Sequence, residues 1–586
     1  MDSYDSSSFK NCFHEVIKAW FEGKDRRPFI NYAINKIEKN WDNDNVFIIE
    51  APTGYGKSTI SATIAMYSFR EELKSIVTFP LRTLLEDQFS KFKELFGDEL
   101  GKRYMHNPES RYLIKPVTLT TVDTLALTLF GIPPEDLDKV VKYWSGTSSG
   151  SLGHYLFSWA SIALSNIIFD EVHLIADSTK SLNFLFALMW AAMDNDQKLV
   201  LMSATIPKTL EEKLQEFLED WEWCNYEFIK FSSEHDREFV ASRRNKRYTI
   251  SLEALNEENK FRIIEKWIDE ESKKYSKIIV VFNTIRDAVQ FYELIKNKFM
   301  EFDKLLLHSR FNEADRDRKA EKLRRLKQAE KFIIVATQVI EAGVDISSNL
   351  FITELAPANS LIQRLGRFLR YDGENEGAVY IWYETDNSGD LLSYNGRYKV
   401  YDRDLTRRTL DKLMEMGEFN VHLVEGYKAL LDVYTADDFQ IEEKGLDDLK
   451  RILMNFEYAP LKAVETFFKL EGSFVRDGLM IPAISLDLLD ECRKENGEFS
   501  LSDLLKLTLP VSFEVVKRAN PEKVVLLRKD YESGDEVPEI VDFESLSTCT
   551  LKYPRSFLRC MIKNSIVAVV VDGDYDSERG LSIKRD

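Results

Sequence analysis

The sequence predicts an α/β protein: two tandem lobes built on parallel sheets, then a helical linker and a mixed α/β C-terminal domain. Three observations carry this. A glycine-containing loop lies between an apolar strand and a helix. A strand–helix rhythm runs through the first part of the chain and then repeats. Only the first run holds such a loop.

The loop is Ala51-Pro52-Thr53-Gly54-Tyr55-Gly56-Lys57-Ser58. It follows the apolar run 46–50, which reads as a buried strand, and precedes 59–66, which reads as a helix. Strand, loop and helix N-terminus together aim backbone N–H groups at an anion. Thr53, Gly54, Gly56, Lys57, Ser58 and Thr59 are the candidate ligands of ATP. Lys57 adds a point charge for the β- and γ-phosphates, and the Ser58 hydroxyl is placed to ligate Mg²⁺. Ala51 stands where phosphate loops in general carry their first glycine.

Residues 1–44 read as a polar helical extension with Phe9, Phe13, Val16, Ile17 and Trp20 at helical spacing. Over 45–232 strands are expected at 47–49, 75–79, 167–169, 199–202 and 226–231. Over 233–385 they are expected at 278–282, 304–307, 332–336, 350–354 and 378–383, after a polar connector at 233–247. Alternating strands and helices imply parallel sheets covered by helices, here two RecA-like lobes. Residues 386–470 read as the helical linker and 471–586 as the accessory domain.

At ~100–200 residues per domain, 586 residues make three or four domains. The formal net charge of −19 does not favour bulk adhesion to nucleic acid, although a local basic groove can still hold phosphates. Cys12, Cys224, Cys492, Cys549 and Cys560 include no C-x-x-C, so neither a zinc site nor a disulfide framework is expected, and a reducing cytosol is the natural compartment. The start, Met1 to Asp5, lacks the features of a signal peptide. The most apolar stretches, 155–169 and 182–193, fall short of the ~18–20 residues of a membrane span, so no membrane is expected.

Asn166-Ile167-Ile168-Phe169-Asp170-Glu171-Val172-His173 carries an apolar strand to two carboxylates. Asp170 can hold Mg²⁺, and Glu171 can orient or deprotonate the water that attacks the γ-phosphate. His173 and the hydroxyls of Ser203-Ala204-Thr205 are candidates for coupling nucleotide state to neighbouring elements. In the second lobe, Gln363-Arg364-Leu365-Gly366-Arg367-Phe368-Leu369-Arg370 supplies catalytic candidates Gln363, Arg367 and Arg370. Arg367 and Arg370, three apart and so on one helix face, are assigned as arginine fingers. In Thr337 to Ile346, Gly343 and Asp345 are further nucleotide contacts at the strand ends facing the interlobe cleft.

With Pro80-Leu81-Arg82-Thr83, Thr120-Thr121-Val122-Asp123-Thr124 and Phe282-Asn283-Thr284, this ordered set resembles a superfamily 2 helicase of the DExH kind. Leu307-His308-Ser309-Arg310-Phe311 and Thr337 to Ile346 resemble, more narrowly, the CRISPR-associated helicase of type I interference systems. The resemblance implies ATP-dependent 3′-to-5′ movement on single-stranded DNA. Pro80, Arg82, Thr121, Asp123, Asn283, Thr284, His308, Arg310 and Thr337 would line the strand path, through sequence-independent contacts. It also implies an RNA-guided surveillance complex as partner. Only 50 residues precede the phosphate loop, too few for the family's His-Asp nuclease. His235-Asp236 reads as a solvated pair, so the nuclease is expected on a separate subunit. Arg26 to Asn31 holds no Gln where helicases often read adenine. Action on RNA or in DNA repair, and an ATP-gated binding module without unwinding, stay open as alternatives.

Overall fold

A computed structural model describes residues 8–23, 27–104, 109–144, 155–175, 178–220, 225–385, 391, 400–417, 419–454, 459–491, 500–529, 536–547 and 549–583. Cys224, Cys492, Arg26, the Met1–Asp5 segment and parts of the linker and accessory domain lie outside these residues.

The first sheet has seven strands: β1 (Val46–Glu50), β2 (Lys74–Phe79), β3 (Leu100–Arg103), β4 (Val117–Thr121), β5 (Ser165–Phe169), β6 (Leu199–Ser203) and β7 (Tyr226–Lys230). All pair parallel, in the order β3-β4-β2-β5-β6-β1-β7. Every residue of β1 is buried, with Val46 and Ile48 in one core and Phe47 and Ile49 in the other, as strand alternation requires. The N-terminal helices Phe9–Phe21 and Pro28–Asn40 cover one of these faces, so they belong to lobe 1 rather than extending from it.

The second sheet has six strands: β8 (Arg247–Leu255), β9 (Lys277–Val281), β10 (Asp303–Leu307), β11 (Phe332–Ala336), β12 (Leu350–Glu354) and β13 (Glu376–Glu384). These too are parallel throughout, ordered β10-β11-β9-β12-β13-β8. The expected connector is thus partly structured. It forms the helix Arg237–Arg244 and leads straight into edge strand β8.

The C-terminal region carries a mixed five-stranded sheet of β14 (Met480–Ser485), β15 (Leu509–Ser512), β16 (Lys523–Lys529), β17 (Glu536–Asp542) and β18 (Ile566–Val571). A hairpin of β19 (Gly573–Asp576) and β20 (Gly580–Ile583) follows. One apolar core runs unbroken from the helix Thr179–Asp194 of lobe 1 through the linker helices into this sheet. The expectation of no disulfide is overturned at one place. Cys560 on the helix Pro554–Lys563 is bonded to Cys549, their Cα atoms 5.3 Å apart, because the preceding loop folds back along that helix. Cys12 is buried and free. Among the described residues no helix is long and apolar enough to cross a membrane.

Candidate active site and strand path

In lobe 1 the adjacent strands β1, β6 and β5 bring three loops together at their C-terminal ends. Gly54 (φ 76°) and Gly56 (φ 103°) take left-handed conformations that let the phosphate loop turn sharply, and Gly56 caps the helix Lys57–Arg70. Thr53 and Ser58 are half-buried, Thr59 buried. Lys57 is buried, donates to the Ala51 carbonyl at 3.3 Å and lies 3.4 Å from Glu171 Oε1. The loop's cation and the candidate catalytic acid therefore neutralise each other.

The two neighbouring carboxyls differ because their surroundings do. Burial, and then the adjoining Glu171 charge, push Asp170 well above the ordinary carboxyl range. Burial is the largest influence on Glu171 and would raise it as well, but the charge and hydrogen bond of Lys57, with His173 and the Arg370 charge, together outweigh it and hold that carboxyl below its ordinary range. Burial pushes His173 down to about 4, so its ring is neutral. Its Nδ1 lies 2.9 Å from Ser203 Oγ and 3.4 Å from Glu171 Oε2. Ser203 Oγ donates to the Thr205 carbonyl at 2.9 Å, and Thr205 Oγ1 donates to Asn359 Oδ1 at 2.8 Å on lobe 2. Acid box, hydroxyl pair and second lobe thus form one hydrogen-bonded chain.

Lobe 2 separates the two arginines that the sequence treats alike. The helix Ala358–Leu365 ends just before Gly366, and Leu369 (φ 45°) turns the chain, so Arg367 and Arg370 do not share a helix face. Arg367 is buried and donates to the carbonyls of Ile340 (3.0 Å) and Glu341 (2.9 Å) within its own lobe. Arg370 instead crosses to the phosphate loop. A Cβ built on Gly54 would lie 3.8 Å from its Nε, Cζ and Nη2. Its Nη1 is buried without a hydrogen-bond partner, and its Nε lies 3.4 Å from Asp345 Oδ1. That unsatisfied donor beside the glycine loop, with Lys57, suits a phosphate oxygen.

Three other assignments shift. Gln363 Nε2 reaches Thr205 Oγ1 at 3.4 Å, so it meets the coupling hydroxyl. Gly343 (φ 74°) lies against Thr83 and Leu84 at the start of the helix Arg82–Phe96, where a Cβ would come within 2.3 Å of Thr83 Oγ1, so it makes an interlobe contact. Asp345 pairs with Lys327 and Arg370, so it positions the arginine.

Arg364 is a central residue that no sequence expectation singles out. Fully buried, it donates to Glu341 Oε1 (2.9 Å), Thr353 Oγ1 (3.2 Å), the Glu354 carbonyl (2.8 Å), Asn283 Oδ1 (2.8 Å) and Tyr401 Oη (2.8 Å). It ties three strand-end loops and the linker to one guanidinium.

The expected strand path is partly occupied by the protein itself. Arg82 pairs with Glu313 across the lobes and lies over the Tyr104 ring. Thr121 Oγ1 donates to Thr124 Oγ1 at 3.1 Å. Arg476, also missed, donates to Asp123 Oδ2 at 2.8 Å and to the Pro80 carbonyl. Asn283 is buried, its Nδ2 on the Leu355 carbonyl and its Oδ1 on Arg364. Thr284 caps the helix Ile285–Ile295, and Thr337 is buried. His308, expected to face the strand, is only 5% exposed. Its Nε2 donates to the Arg579 carbonyl at 2.8 Å and its Nδ1 accepts from Arg310 N at 3.1 Å, while burial depresses it to about 3. The Arg310 carbonyl in turn accepts from Leu581 N at 2.9 Å. The β19–β20 hairpin has taken this ground. Asp236, expected to be solvated, is buried.

A family model described as DEAD/DEAH box helicase matches residues 31–213, and one described as CRISPR-associated nuclease/helicase Cas3, C-terminal, matches 274–373. The chain is a Cas3-like DEAD/DEAH-box helicase. It is 26% identical to a putative CRISPR-associated nuclease/helicase Cas3 of Methanocaldococcus jannaschii, over 88% of this chain and 72% of that protein. It is 27% identical to the CRISPR-associated helicase Cas3 of Thermoproteus tenax, over 59% of this chain and 57% of that one. The fold matches the crystal structure of T. fusca Cas3-ADP with a TM-score of 0.65 at 17% identity, covering 97% of this chain and 71% of that one. As a helicase of this class, the chain is a nucleotide-binding ATPase.

Proposed function

We propose that this helicase hydrolyses ATP with Mg²⁺ to move 3′-to-5′ along single-stranded DNA in CRISPR interference. It would act with a separate His-Asp nuclease subunit and an RNA-guided surveillance complex in the cytoplasm. The observation that carries the catalytic part is Arg370 of lobe 2 against Gly54 of the lobe-1 phosphate loop. The nucleotide site is thereby shared between halves that can close and open.

Backbone amides of the loop and Lys57 hold the β- and γ-phosphates. Lys57 must then leave Glu171, which frees that ionised carboxylate to orient the attacking water. Arg370 meets the charge that spreads over the γ-phosphoryl oxygens. Ser58 and Asp170 would hold Mg²⁺, which would supply neutralisation of phosphate charge. The Ser58 hydroxyl and the Asp170 carboxylate are hard oxygen donors of the kind that Mg²⁺ takes. The chain His173–Ser203–Thr205–Asn359 carries the state of that site to lobe 2.

Steady-state ATP hydrolysis should rise with single-stranded DNA, and Lys57→Ala or Glu171→Gln should lower it by about 100-fold or more. Hydrolysis that ignores nucleic acid would overturn the translocase reading. In a competition between DNA and RNA of one sequence, DNA should give the greater stimulation. Preference for RNA would shift the assignment to RNA remodelling.

A further inference from the structure

The helix Arg237–Arg244 joins the lobes, and its two ends touch the two halves of the nucleotide site. At its start, Asp236 Oδ1 accepts from Phe239 N at 2.9 Å, and Asp236 Oδ2 accepts from Tyr55 Oη at 2.8 Å. Tyr55 belongs to the phosphate loop and is fully buried. Its ring meets Phe239 edge-on at 5.0 Å, and its hydroxyl also accepts from Phe29 N at 3.1 Å. At the far end, Arg243 lies over the same Phe239 ring at 5.0 Å and is buried. Its Nη1 donates to the Leu369 carbonyl at 3.4 Å and its Nη2 to the Arg370 carbonyl at 3.2 Å.

Those carbonyls belong to the turn that aims Arg370. Leu369 sits at φ 45°, a left-handed conformation unfavourable for a branched side chain, which persists only where its surroundings hold it. Arg243 holds the carbonyl side of that turn. Ser347 Oγ, accepting from Arg370 N at 2.8 Å, holds the amide side. Without Arg243 the two carbonyls lose their buried donor, and the turn is free to relax toward ordinary backbone.

We propose that Arg243 is a positioning residue for Arg370, and that the helix Arg237–Arg244 is a strut setting the reach of that arginine against the phosphate loop. This rests on the reading of Arg370 as the residue that stabilises the transferring phosphoryl group. The strut offers a route by which changes at Tyr55 on nucleotide binding are felt at the Leu369 turn, inside the segment that links the lobes.

The test uses the full chain with saturating single-stranded DNA and compares Arg243→Met, Arg243→Lys, Arg370→Ala and the double variant Arg243→Met/Arg370→Ala. Arg243→Met should lower kcat by about 10- to 100-fold with KM for ATP within about threefold, because a misaimed arginine is missed in the transition state more than in the ground state. Affinity for ADP with aluminium fluoride should fall by a similar factor while affinity for ADP alone holds. Arg243→Lys should recover part of the loss through one carbonyl. The double variant should be no slower than Arg370→Ala, since both changes remove one effect. The positioning role is overturned if Arg370→Ala cripples kcat while Arg243→Met stays within about twofold of the parent, or if the two losses multiply. If Arg370→Ala leaves kcat intact, the arginine-finger reading itself fails, and the inference falls with it. Should Arg243→Met not fold, Tyr55→Phe reports on the other end of the strut: kcat down by about two- to fivefold supports the inference, and an unchanged kcat opposes it.

Discussion

The C-terminal region meets the two lobes by unlike chemistry. Against lobe 1 the contact is mainly apolar, with the Arg476–Asp123 pair at its edge: Phe474, 1% exposed, packs on Phe130 with ring centroids 4.4 Å apart, inside a core that continues from Phe184 to Phe513 and Phe557. Against lobe 2 it is a set of hydrogen bonds and ion pairs. His308 meets the Arg579 carbonyl, Asn312 N donates to Tyr575 Oη at 3.1 Å, Tyr575 Oη donates to Asp315 Oδ2 at 2.5 Å, and Lys296 pairs with Glu578 at 2.7 Å. Opening an apolar seat exposes its whole surface at once. Polar contacts are exchanged for water one by one, at a net of about 0.5–1.5 kcal/mol each. If the lobes separate during the ATP cycle, the C-terminal region therefore travels with lobe 1, and the hairpin seat on lobe 2 is the one that gives.

Breaking the apolar seat should have the largest effect. Phe474→Ala should cost about 3–5 kcal/mol, read as a lower thermal midpoint of the whole chain. A loss confined to the C-terminal region would show that the shared core is not cooperative. Acid should act next, through lobe 2. Bound His308 stays neutral down to about pH 3, whereas a released histidine takes up a proton near 6.5, so the undocked form binds more protons below 6.5. The hairpin seat is at full strength above that pH and weakens as pH falls, by about 2 kcal/mol at pH 5. Hydrogen exchange of residues 573–583 should rise accordingly in the parent and much less steeply in His308→Gln. The smallest effect is expected from Tyr575→Phe, about 1 kcal/mol at the same amides, with the thermal midpoint of lobe 1 unmoved.

The same contrast explains what the sequence could tell. Strands β1, β5, β6, β9, β11 and β12 are buried apolar runs ending in loops with a phosphate-site or cleft motif, and they stand out. Strand β8 alternates at a sheet edge, and β3 is four residues long, so neither carries that signal. Lys57, Asp170 and Glu171 were legible because their spacing along strand and loop fixes where they go. Arg364, Arg367 and Arg370 were not distinguishable, because their roles depend on where a helix ends and on the turn at Leu369. Arg476 gave no signal at all: it sits in a loop without a motif and meets Asp123 only through the tertiary packing.

Two of the residues expected to touch a polynucleotide are held by the C-terminal region, Asp123 by Arg476 and the Arg310 carbonyl by the β19–β20 hairpin. If a polynucleotide runs past both, these two anchors would close over it as an eyelet. A strand with a free end could then be threaded through it, whereas a closed circle would enter only after one anchor lifts. Since the hairpin is the cheaper anchor to lift, its opening rate would set how fast circular molecules engage.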